Sequence, residues 1–233
     1  MTSPADDTAA LRDSTDRLLA AVEKLDDASL AEPSLLPGWT RGHVLAHLAR
    51  NADALVNVLA GRPMYASAEA READIERDAH RPLAAHLEDL RTSAAGLDEA
   101  MAALTDEQWR ATVALRNGVT DLAASVPFRR RIEVELHHVD LGIGYTLDDL
   151  PASFTDRELE NMVGRFSGHP DVRPLELRTE DGRVWRTGRA DGGGDPPVVV
   201  SGSPTALVGW LTGRTTGSGL TASAEVLPPL PPL

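Results

Sequence analysis

The 233-residue sequence contains no cysteine, a single lysine (Lys24) and few aromatic residues, 4% of the chain. Without cysteine there is no disulfide, no thiolate-held zinc, no iron-sulfur cluster and no protein thiol nucleophile, so any thiol chemistry must borrow its sulfur from a small molecule. Positive charge is also scarce: 23 Lys and Arg stand against 36 Asp and Glu, a formal net charge of -13. A chain of this sign lacks the clustered cations that neutralise phosphates, which argues against nucleic acid and anionic membrane surfaces as partners. No apolar stretch approaches the roughly 20 residues needed to cross a bilayer, and no charged start precedes an apolar run, so a cytoplasmic protein is expected. Walker loop, dinucleotide fingerprint and Gly-x-Ser-x-Gly elbow are all missing, and Gly192-Gly193-Gly194 follows no nucleotide-binding pattern.

What is present is enough apolar material, 42% of the residues, for a medium domain plus a small one. Leu11, Leu18, Leu19, Val22 and Leu25 fall at helical spacings and predict a first amphipathic helix from about Pro4 to Asp27. Thr40 is suited to cap a second helix running to about Ala60, where Gly61 and Pro63 stop it. A short helix is expected between Ser67 and Asp78, and Pro82 opens a third long helix carrying Leu83, Leu87, Leu90, Leu97, Met101 and Leu104. Thr105 and Gln108 have the spacing of a capping box, and Asn117-Gly118 that of a tight turn in a short hairpin. A fourth long helix ends near Ile143 and starts at either Asp121 or Pro127; the earlier start would require a kink at the proline. Four such helices predict an antiparallel bundle over residues 1–150. Beyond it, a helix near Thr155 to Phe166, strand signals at Leu175, Val184 and Val198-Val199-Val200, a helix opened by Ser203-Pro204, a last strand within Thr221 to Val226 and an extended Pro-rich tail predict a small α+β domain over 151–233.

Chemistry is concentrated in the histidines of the bundle. Glu133 and His137 are four apart, so both project from one helix face and can meet one ion; Glu135 and His138, three apart, can do the same from another face. On the second helix a wheel sets His47 roughly 90° and His43 roughly 130° from the centre of the apolar stripe, making His47 the more inward. The stripe Phe128, Ile132, Leu136, Val139 and Ile143 dominates the fourth helix, with Glu133 and His137 on a flank bordered by Val134 and Leu141. Helical His and Glu four apart are common surface pairs, and the wheel leaves Glu135 with His138 open. His80 and His86 read as solvated, and His169 as a loop residue. One Glu-x-x-His element without a second copy argues against a di-iron centre.

The run Leu35-Leu36-Pro37-Gly38-Trp39-Thr40-Arg41-Gly42-His43-Val44-Leu45-Ala46-His47 resembles the signature of the mycothiol-dependent maleylpyruvate isomerase family, whose N-terminal domain is DinB-like. Met64 to Arg71, Arg131 to Gly142 and Val198 to Ser203 resemble it in the same order. The resemblance implies zinc held by His47, Glu133 and His137, with mycothiol as cofactor and a small anionic molecule as substrate. It further implies catalytic arginines at Arg71 and Arg214, for each of which the bland alternative is a solvated surface charge; Asp140 either orients a ligand or faces solvent.

The implied reaction is a cis to trans change in maleylpyruvate, made possible when a thiol adds to the double bond and leaves after rotation. Full ionisation of a thiol of pKa about 8.5 raises thiolate at neutral pH only about 30-fold, or roughly 2 kcal/mol. Most of the acceleration must therefore come from alignment and from stabilising the enolate, the work expected of the arginines. A mycothiol S-transferase of the same fold and a non-catalytic binding protein with an idle site are the alternatives.

Overall fold

The computed structural model describes residues 3–189 and 196–232; the Gly192 to Gly194 loop lies outside them. The chain divides into two compact units, Met1–Tyr145 and Thr146–Leu233.

The first unit is built on four long helices. Helix α1 (Pro4–Val22) starts where Ser3 and Asp6 satisfy each other's backbone N–H groups and Pro4 occupies the first turn. It stops earlier than its apolar spacing predicts, because Asp26 takes the backbone N–H of Ser29 and caps a separate short helix, α2 (Asp27–Leu30). Helix α3 (Arg41–Leu59) is capped by Thr40, with the His43 side chain returning to the Thr40 backbone. Helix α4 (Ala68–Ala79) is capped by Ser67, and α5 (Leu83–Ala102) follows Pro82. Thr105 and Gln108 do form a capping box, opening the short α6 (Asp106–Trp109). A small hairpin of β1 (Thr112–Ala114) and β2 (Thr120–Leu122) turns through Asn117 at φ 56. Helix α7 (Val126–Asp140) takes the later of the two predicted starts, with Pro127 in its first turn, so no kink is needed.

Helix α3 packs on α4, α5 and α7, and α1 on α7 and α5. The core is Leu11, Leu18, Val44, Leu45, Leu48, Leu55, Leu90, Leu97 and Met101, with Val126, Val134 and Leu141 from α7. The stripe of α7 that enters this core is thus the one beside Glu133 and His137, not the Phe128, Leu136, Val139 stripe that dominates the wheel. That second stripe is buried outside the bundle core. The C-terminus of α4 sits directly on α3 at Gly42, where an added Cβ would lie 2.1 Å from the Ala79 carbonyl oxygen. His86 is buried at 2% exposure, contrary to its reading as solvated, and burial lowers its pKa against a hydrogen bond involving the backbone of Ala79. His80 is exposed as expected.

The second unit packs α8 (Ala152–Phe166) and α9 (Pro204–Leu211) on a four-stranded sheet of order β4-β3-β5-β6. Strand β3 (Leu175–Thr179) pairs antiparallel with β4 (Val184–Thr187) and parallel with β5 (Val198–Gly202), whose other edge holds the two-residue β6 (Thr221–Ala222). Ser203 caps α9 with Pro204 in its first turn, as the sequence predicts. The Pro-rich end is not a free tail: Leu227 and Leu230 pack against the core of Phe166, Leu175, Leu177, Val200 and Leu207. Together the two units make the chain α+β, as expected.

Candidate metal centre

Three of the sequence-selected side chains converge. His47 comes from the second turn of α3, and Glu133 and His137 from one face of α7. His47 Nε2 lies 2.9 Å and His137 Nε2 3.2 Å from the same oxygen, Glu133 Oε2. The two imidazole rings meet edge to face, centroids 4.7 Å apart, and Trp39 covers His47 at 5.5 Å. One donor atom from each residue lies within 4.8 Å of the others. A zinc ion with bonds of about 2.0 Å has donors about 3.3 Å apart in a tetrahedron, close to the spacings found. Nitrogen, nitrogen and carboxylate oxygen are the right donor types, so the residues fit the ion.

The surroundings push the three groups in different directions. Burial lowers the His47 pKa, and the Glu133 contact only partly offsets it. Burial also lowers His137, but hydrogen bonds with Asp140 and Glu133 outweigh it and leave the ring above its ordinary value. Glu133 is raised by burial but held well below the usual carboxylate range by the two histidines. Asp140 is buried at 1% exposure and its Oδ2 lies 2.8 Å from His137 Nδ1, so the choice left open by the sequence falls to orienting. A carboxylate there fixes the ring and leaves Nε2 aimed at the shared centre.

Arg71, on α4, reaches the trio. Its Nη2 lies 3.1 Å from His47 Nδ1, its Nη1 pairs with Glu72, and the guanidinium carbon stands 5.8 Å from the Tyr65 ring centroid. Its Nε is buried and has no hydrogen-bond partner among the described residues. It borders a cavity of about 350 Å³ lined also by Asn57, Met64, Tyr65 and Ala70. Arg214 belongs to the second unit, where it follows α9 and its Nη1 donates to the Thr212 carbonyl at 2.8 Å. Sequence reasoning passed over Arg130, three residues before Glu133 and buried at 3% exposure, whose Nη1 donates to Asn51 Oδ1 at 2.8 Å. Burial lowers Arg130 to about 10, with Glu133, Tyr65 and Asp53 opposing. An internal arginine carries no periodic signal, because the wheel places it among apolar neighbours.

The two competing histidine pairs have other partners. Glu135 Oε1 accepts from Ser14 (2.6 Å) and Arg17 (2.7 Å), its Oε2 accepts from the Tyr145 hydroxyl (2.7 Å), and His138 stacks on Tyr145 at 3.8 Å. This buried network ties α7 to α1 rather than serving an ion. Removing one partner of a buried pair is costly, so Glu135→Ala is expected to lose about 3 kcal/mol in urea unfolding. A loss within about 0.5 kcal/mol, as for an ordinary surface change, would deny the network that role. His43 is buried at 8% exposure against 5% for His47, the order the wheel gives, and its own depth comes from α4, which covers it. It lies with Glu76 and His80 in a second cluster of donors.

Family models match both units. The mycothiol maleylpyruvate isomerase N-terminal domain covers residues 11–142 and the MDMPI C-terminal domain residues 149–232. The chain belongs to this family. Among solved structures it is similar to a mycothiol-dependent maleylpyruvate isomerase, at 30% identity over 99% of both chains with a TM-score of 0.88. A histidine-to-alanine mutant of a mycothiol-dependent maleylpyruvate isomerase gives the same figures. Comparison with curated proteins gives no match. Among the described residues no helix is long and apolar enough to cross a membrane.

Proposed function

We propose that this family member is a zinc- and mycothiol-dependent isomerase that converts maleylpyruvate to fumarylpyruvate, with His47, Glu133 and His137 as metal ligands and Arg71 and Arg214 as substrate-binding residues. The observation that carries the reading is the convergence of two imidazole nitrogens on one carboxylate oxygen, in a chain similar over its whole length to a mycothiol-dependent maleylpyruvate isomerase. When bound, zinc would supply the charge that keeps a thiol ionised at neutral pH, and mycothiol would supply the sulfur nucleophile that this cysteine-free chain lacks.

The chain's own residues account for the rest. Asp140 accepts a hydrogen bond from His137 Nδ1–H and so would leave the Nε2 lone pair for the ion. Arg71 has only donors, so in the metal-free site His47 Nδ1 accepts from it and His47 Nε2–H donates to Glu133. A metal ligand at Nε2 needs its proton at Nδ1 instead, which would set N–H against N–H at Arg71. Arg71 would then be left to turn toward a carboxylate of the substrate, for which its unpartnered Nε is already available. The Arg71 guanidinium would supply locally the positive charge for an anionic substrate that the acidic chain as a whole does not provide.

The deciding measurement is the decay of maleylpyruvate absorbance with and without mycothiol, alongside a count of free thiol. Thiol-dependent decay with thiol conserved is the expected result; thiol consumed would indicate an S-transferase, and no decay in zinc-loaded protein would sink the assignment. Asp140→Asn should weaken zinc about 10–100-fold in a chelator competition, with the fold unchanged by circular dichroism. Because Asp140 and Glu133 favour the protonated form of His137, protons compete with the ion from above the ordinary histidine value of about 6.5. Zinc affinity should thus fall as pH drops from 8 to 6; a flat profile would contradict this.

A further inference from the structure

We propose that His43, Glu76 and His80 form a second divalent-metal site, which when loaded clamps α4 to α3. The donor set repeats that of the first centre. In each, one α3 histidine faces a Glu-x-x-x-His pair from a neighbouring element: His47 faces Glu133 and His137 of α7, and His43 faces Glu76 of α4 and His80, the residue that ends it. Glu76 stands between the two rings, its Oε2 3.1 Å from His43 Nε2 and its Oε1 3.2 Å from His80 Nε2. The rings lie edge to face at 5.7 Å, and one donor atom from each residue is within 4.8 Å of the others.

The fold gives a reason for the convergence. Gly42 admits the Ala79 carbonyl against α3, and this close approach brings the last turn of α4 over His43. On its other side His43 is stacked by Trp39, centroids 6.3 Å apart, and its Nδ1 is 2.7 Å from Thr40 Oγ1. That hydroxyl can accept Nδ1–H once Nε2 gives its lone pair to a metal, the outer contact that ligand imidazoles use, at the cost of the Thr40 backbone N–H contact to Nδ1. Two imidazoles and one carboxylate suit zinc and its borderline neighbours better than magnesium or calcium. Glu76 and His80 are exposed side chains that lose rotamer freedom on binding, so this site should be the weaker of the two. Arg71 lies on the same helix as Glu76, and a clamp at the end of α4 would steady the element that brings Arg71 to His47.

The test starts from protein carrying one equivalent of zinc and follows further zinc by calorimetry. A second, weaker equivalent is expected in the wild type. His80→Ala and Glu76→Gln, changed at side chains 70% and 68% exposed, should each weaken it at least tenfold while the first equivalent stays. His47→Ala should do the reverse, so failure of the first centre is read separately from failure of this one. Zinc at ten times the second dissociation constant should raise the wild-type Tm by about 3–5 °C, with no rise in His80→Ala. A single equivalent in the wild type, a second that survives both α4 substitutions, or uptake without any change in Tm would overturn the proposal.

Discussion

His47→Ala protein is expected to emerge folded, with the first equivalent of zinc missing and isomerase activity reduced on the order of 10³-fold or more. The size exceeds the roughly 30-fold that thiol ionisation alone would supply, because the ion would also hold the thiol in line with the double bond, and about 4 kcal/mol corresponds to 10³ in rate. The side chain lies at the centre of the trio, 2.9 Å from the Glu133 oxygen, and nothing else on α3 can replace it: His43, one turn earlier, faces α4. Metal analysis and turnover should be measured side by side with His43→Ala. The first equivalent of zinc lost in the His43 variant and retained in the His47 variant would overturn this ligand assignment.

Arg71→Ala has a different signature. Zinc should remain, because Arg71 touches the far nitrogen of His47 and supplies no donor to the ion. The value of kcat/KM should fall about 10²-fold or more, from the loss of a charge-assisted contact that is worth about 2–5 kcal/mol when desolvated. Arg71→Lys should recover little, since a point charge cannot reproduce the two-pronged contact. Kinetics within about twofold of wild type would remove Arg71 from the substrate site and leave its buried, unpartnered Nε without a role.

The elements that could be read from the sequence are those fixed by local rules. Caps at Thr40, Thr105 and Ser203, proline in the first turns of α7 and α9, and the Asn117 turn each depend on a few neighbouring residues, and each forms where predicted. Spacing also sufficed to put Glu133 and His137 on one face. What was not legible depends on contacts between distant segments. The wheel orders His47 and His43 correctly but sees only α3, so it gives no sign that α4, held close by Gly42, buries His43 as well. Periodicity chose the Phe128 stripe of α7 as dominant, but a helix buried on more than one face has no single apolar side. The burial of His86 and the packing of the Pro-rich end were missed for the same reason, whereas the early stop of α1 rests on the local Asp26 cap, which the apolar spacing through Leu25 masks. Family resemblance selected Arg71 and Arg214, which no periodic argument distinguishes from surface charges.

The His47 and Glu133 side chains that meet at one oxygen are separated by 86 positions along the chain. During synthesis, no complete binding pocket exists until the final long helix of the first unit has emerged and found its place against the third. Capture of a metal ion by the proposed ligands would therefore report the end of assembly of that unit rather than any local step. Its binding energy would add to the stability of the finished arrangement and to that of no partly folded form lacking the last helix.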